Sequence, residues 1–174
     1  IGLLSFLLLY LPRLAMNLHD GGLWTNAGKA LALSGAGILV LRSLANAKDS
    51  AKYLPGCIFL SAFLILTGLE HFIYVQFVEG LVPAWIPGHR FWTYFAGVAL
   101  VAGGVGMIVP MTRRLAGLLS GIMILLWVFL LHIPRALITP RGANETTAVF
   151  EALAISGAAF LVGLGAWTRK GNFS

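Results

Sequence analysis

The sequence predicts an all-α fold, a polytopic transmembrane helical bundle, and three observations predict it. Of the 174 residues, 59% are hydrophobic and 10% charged, with a mean hydropathy of +0.89. A soluble domain carries about 25% charged residues. The apolar stretches are too long, and too rich in Leu, Ala and Gly, for the alternating strands of a barrel. Helices also satisfy their own backbone groups, which a lipid solvent requires.

Six apolar segments follow in order: Ile1–Ala15, Asn26–Leu41, Leu54–Phe77, Phe91–Val109, Leu115–Ile133 and Thr146–Trp167. A span needs about 20 residues, so the first reads as the second half of a helix. It is not read as a signal peptide, because no basic region precedes it and no small-residue cleavage site follows. Pro55 falls at a helix start, and Pro110 and Pro134 at helix ends, where proline is tolerated. Val78–Arg90 holds Pro83, Trp85, Pro87 and Gly88 and reads as an interfacial elbow. Trp85, Trp92 and Tyr94 suit headgroup depth. Gly117-xxx-Gly121 and Ala99-xxx-Gly103 suit close helix packing. Cys57 is the single cysteine; it excludes an internal disulfide and reads as a packing residue.

The chain repeats itself. Leu7–Val40 aligns with Phe129–Val162 without gaps, at an offset of 122 residues and with 13 identities in 34 positions. The landmarks are Pro12-Arg13 with Pro134-Arg135, Thr25 with Thr147, and Ser34-Gly35-Ala36 with Ser156-Gly157-Ala158. Fixed self-similarity of this kind points to duplication. Residues 1–45 then form a partial repeat of two helices, and residues 54–167 a four-helix unit. Counterparts of the first two helices of that unit would lie upstream of Ile1.

The formal net charge is +6. It is spread over short loops with no basic stripe or aromatic platform, which argues against nucleic acid and for topology and anionic lipid. Alternating spans place Arg42, Lys48, Lys52, Arg113, Arg114, Arg169 and Lys170 on one side, with Asp49 its single acid. The other side carries Arg13, Lys29, Arg90, Arg135 and Arg141 against Asp20, Glu70, Glu79, Glu145 and Glu151. The excess of Lys and Arg assigns the first side, and both termini, to the cytoplasm.

All four histidines (His19, His71, His89 and His132) fall on the far side. Counting along ideal helices brings Glu70, His71, His132, Arg135 and Glu151 to one level near that surface. Ionisable groups at such depth are costly and pair with one another. One reading is a polar pocket whose imidazole and carboxylates hydrogen-bond a quinone head group or pass protons. The other is a structural network in which Arg135 neutralises Glu151 and the charges set helix register. Glu70 and His71 are adjacent and point about 100° apart on a helix, which is no metal motif. Lys29 occupies the position matching Glu151, and opposite charges at equivalent places predict a salt bridge between the repeats.

Gly68-Leu69-Glu70-His71-Phe72-Ile73-Tyr74, Leu81-Val82-Pro83-Ala84-Trp85-Ile86-Pro87, Leu131-His132-Ile133-Pro134-Arg135 and Phe150-Glu151-Ala152-Leu153 resemble the DoxX-like family of bacterial membrane proteins. The resemblance covers residues 54–167, and the preceding residues 1–45 depart from the family's single-unit form. It implies a four-helix unit related to subunits of a thiosulfate:quinone oxidoreductase. No cysteine pair, flavin fingerprint or haem motif accompanies it, so an electron acceptor would be a diffusible quinone or a partner's cofactor. Three readings follow. The chain is an accessory subunit packed in a redox or energy-converting assembly, with membrane proteins or further copies of itself as partners. Alternatively it is a quinone-linked oxidoreductase using the polar cluster, or, with less support, a small-solute carrier.

Overall fold

The computed structural model describes residues 2–45, 50–139 and 143–165. Lys48, Asp49, Arg141, Trp167, Arg169 and Lys170, used above for span ends and charge balance, lie outside the described residues. All the regular structure described is helical: α1 Gly2–Met16, α2 Gly21–Leu44, α3 Leu54–Ile73, the short α4 Val75–Glu79, α5 His89–Ile108, α6 Arg113–Ile138 and α7 Ala143–Leu164. Five of them (α2, α3, α5, α6 and α7) are long and apolar enough to cross a membrane, and α1 is shorter. The chain is a multi-pass helical membrane protein.

The long helices close a ring in the order α2, α3, α5, α6, α7 and back to α2, with α1 packed outside on α2. Without a hydrophobic drive between helices in lipid, close approach depends on small residues. The α3–α5 seam shows this. A Cβ on Gly68 would stand 2.9 Å from the Gly97 carbonyl oxygen, and one on Gly97 would stand 3.1 Å from that of Gly68. The α6–α7 seam repeats the device, because a Cβ on Gly117 would stand 2.5 Å from the Gly163 nitrogen. There the buried Ser156 hydroxyl also donates to the Gly121 carbonyl at 2.9 Å. Leu39, Cys57, Leu60, Leu64, Met107, Val128 and Val162 fill the interior, while Leu8, Phe77, Phe129 and Leu137 face outward.

One proline position departs from expectation, and a second behaves like it. Pro134 was expected to end the fifth span, yet α6 continues to Ile138 through a π-helical segment at Val128–His132. Proline removes a donor and clashes with the carbonyl four residues earlier, here Leu130. The wider π turn contains Leu130 and absorbs both defects. Pro12 is treated the same way, with a π-helical segment at Phe6–Tyr10 and helix continuing over Leu11–Met16. Each pair of segments is 122 residues apart, as are the starts of α2 and α7 at Gly21 and Ala143.

The elbow after α3 is built as turns. Gly88, with φ of 76°, supplies the left-handed residue that starts α5. Arg90 Nε donates to Glu79 Oε2 at 3.0 Å across the elbow, and Trp85 is 71% exposed.

Glycine position decides tolerance. Gly157, with nothing within 4 Å of an added Cβ, should accept leucine without loss. Gly68→Leu should lower stability by about 3 kcal/mol, the upper range for over-packing. Thermal unfolding in detergent compares the two.

Candidate functional site

α2 and α7 start at the same end of the ring. Asp20 opens α2, its Oδ1 accepting from the Leu23 amide at 3.0 Å, an N-cap that satisfies one of the helix's free donors. Lys29 follows Gly21 by eight residues and Glu151 follows Ala143 by eight, so both sit about 12 Å into their helices at 1.5 Å per residue. Lys29 Nζ lies 2.8 Å from Glu151 Oε2, with side chains 29% and 22% exposed. The ion pair expected from the matching positions therefore forms.

The other expected residues divide around it. Glu70, in the last turn of α3, has its Oε1 2.8 Å from the Thr25 hydroxyl of α2, which also lies 2.9 Å from the Gly21 carbonyl as an alternative acceptor. Lys29 is the cation whose charge reaches Glu70. His71 turns away, with Nδ1 2.7 Å from the Thr67 carbonyl oxygen and its ring stacked on Trp127 at 6.2 Å. A carbonyl only accepts, so Nδ1 carries the proton and Nε2 is left as the free nitrogen.

Arg135 does not meet Glu151. Its Nε and Nη2 donate to Glu145 at 3.1 and 2.7 Å in a bidentate pair. The continuation of α6 past Pro134 is the cause, because it carries Arg135 toward the start of α7. Glu145 lies six residues before Glu151, about 9 Å along the helix. The cluster is therefore not one flat layer. An outer pair, Arg135–Glu145, lies above an inner pair, Lys29–Glu151, with Glu70 held beside the inner one. His132 ends the π segment, and the charges that reach it are Arg135, Glu145, Lys29 and Glu151. Its ring nitrogens have no hydrogen-bond partner among the described residues.

Between α2 and α7 a cleft of about 300 Å³ opens over the inner pair, lined by Asn26, Lys29, Asn144, Thr147 and Glu151. Sequence reasoning missed three of its residues, Asn26, Asn144 and Thr147, and also Thr25 and Glu145 as partners. Thr25 and Thr147 were visible only as a matched pair at the 122-residue offset. Chemically the site offers an ammonium, carboxylates, side-chain amides and an imidazole, all suited to hydrogen bonding and charge neutralisation.

Ring and polar end together define a class: a multi-pass helical membrane protein in which, among the described residues, the acids and histidines gather at one end of the bundle or in the elbow beside it. The chain belongs to the family described as a domain of unknown function (DUF8561), whose model matches residues 60–156. The match runs from α3 into α7 and includes Glu70, His71, His132, Arg135, Glu145 and Glu151, but not Thr25 or Lys29. No curated protein and no solved structure matches the chain.

Lys29→Glu or Glu151→Lys alone should cost about 1–2 kcal/mol, between the values for exposed and buried pairs. The double reversal should recover most of that loss, the shortfall reflecting the new carboxylate beside Glu70. Unfolding of all four proteins in detergent measures the coupling; equal losses that simply add would rule the pair out.

Proposed function

We propose that this chain is a DoxX-like accessory subunit of a bacterial inner-membrane assembly. In this reading its polar end is a locking device, not a reaction centre. One observation carries the proposal: each carboxylate of the cluster already has a partner, Glu70 with Thr25, Glu145 with Arg135 and Glu151 with Lys29. A satisfied network spends its charges on helix register. The segments resembling the DoxX-like family contain five of the clustered residues: Glu70, His71, His132, Arg135 and Glu151. The excess of Lys and Arg at the opposite end supports cytoplasmic termini and an outward-facing polar end. Duplication of a helical unit accounts for the equal spacing of the two proline–π segments and for the meeting of Lys29 and Glu151 at matched positions.

A second reading is favoured by the cleft over Lys29 and Glu151 together with His132, whose ring has no hydrogen-bond partner among the described residues. There the chain binds a polar head group such as a quinone's. Asn26, Lys29 and Asn144 donate to it, and His132 exchanges protons with it.

Native electrophoresis of mildly solubilised membranes, with purified chain assayed for quinone reduction, separates the two readings. The accessory reading predicts a complex far larger than 18.6 kDa and no turnover by the isolated chain. It also predicts that Glu70→Gln lowers complex abundance in step with stability. A monomer with intrinsic turnover, abolished by His132→Ala at unchanged unfolding temperature, would overturn it in favour of the second.

A further inference from the structure

A second concavity lies at the opposite, basic end, on the lipid-facing side of the ring. α5 and α6 follow one another closely yet meet along a narrow line. Gly103 rests on the Ser120 side chain, and a Cβ on Gly106 would stand 2.8 Å from that of Ala116. Outside this line Ala102 and Val105 on α5 diverge from Leu115 and Leu119 on α6. They leave an apolar groove of about 600 Å³ that ends at Thr112, in the turn between the helices.

Two neighbouring arginines at that turn behave differently. Arg113 is buried, its Nε and Nη2 donating to the Met107 and Ile108 carbonyls at 2.8 Å each. It closes the C-terminus of α5, whose last carbonyls lack helical partners. Arg114 is exposed, one residue before groove-lining Leu115. Arg42 and Lys52 stand at the same end of the ring, and among the described residues every acid lies at the other end or in the elbow beside it.

We propose that the groove holds an acyl chain of an anionic phospholipid whose phosphate sits against Arg114. The apolar walls suit any hydrocarbon; the exposed Arg114, two residues past the groove's end at Thr112, selects the head group. One cation beside a lipid surface favours an anionic head by about fivefold. The small side chains on α5 leave the depth that an extended chain needs, and lipid filling restores the contacts that the divergence of α5 and α6 leaves unmade.

Native mass spectrometry of the whole chain in mild detergent tests this, with phosphatidylglycerol or phosphatidylcholine of identical acyl chains added. The expected result is one retained phosphatidylglycerol, preferred over phosphatidylcholine. Arg114→Gln should still bind lipid but lose about fivefold of that preference. Ala102→Phe, which fills the groove from an exposed position, should retain neither lipid at unchanged unfolding temperature. Val105→Trp gives the same readout should that variant fail to fold. Equal retention of both lipids by the unmodified chain would overturn the proposal, as would lipid retained with the groove filled. A dimer cross-linked through Ala102→Cys would overturn it too, making the groove a protein interface.

Discussion

An ammonium eight residues inside a lipid-embedded helix must be neutralised, and this constraint organises the molecule. Lys29 projects from α2 about 12 Å from the helix start, and an uncompensated charge inside a membrane span is costly. Glu151 at the same depth of α7 meets it at 2.8 Å. That contact requires α2 and α7 to be neighbours, and the two helices run in the same direction with each partner eight residues from its helix start. With α3, α5 and α6 packed in sequence between them, the same contact closes the ring. Glu70 on α3 meets the Thr25 hydroxyl of α2 at 2.8 Å, so a third helix is tied to the same end of the bundle.

Proline shapes the outer part of that end. A helix ended by Pro134 would leave Arg135 in a loop. The π segment widens the turn, lets α6 continue, and puts Arg135 opposite Glu145. Two ion pairs at two depths then replace the single shared layer that residue counting suggests. The division leaves His132 reached by charges of both signs.

Fold class was legible because composition decides it: lipid rejects charge, and few charges are present. Helix existence was legible for the same reason, although the ends of α2 and α6 extend beyond the apolar runs because Asp20 caps one and a π turn rescues the other. Lys29–Glu151 was legible through matched positions in two aligned segments, which carry three-dimensional information. Arg135–Glu145 was not, because its geometry turns on whether a proline stops a helix, and composition does not encode the π alternative. Thr25–Glu70 was not legible either, since threonines are common in membrane helices, where they bond back to their own backbone, as Thr67 and Thr93 do. His71 was misplaced because adjacent residues on a helix face different neighbours, and Trp127 with the Thr67 carbonyl claims its ring.

The two ends of the ring therefore differ in chemistry. One end neutralises its charges internally across α2, α3, α6 and α7, and the other presents cations outward and buries one arginine as a helix cap. Everything at the first end depends on Lys29 and Glu151 touching in the bilayer. Solid-state NMR distance measurement between the Lys29 ¹⁵Nζ and the Glu151 ¹³Cδ, on chain reconstituted in lipid, addresses that contact without mutation of either partner. The account predicts strong dipolar dephasing from a direct N–O contact of 2.8 Å. Absence of dephasing, with each nucleus in contact with water instead, would contradict it.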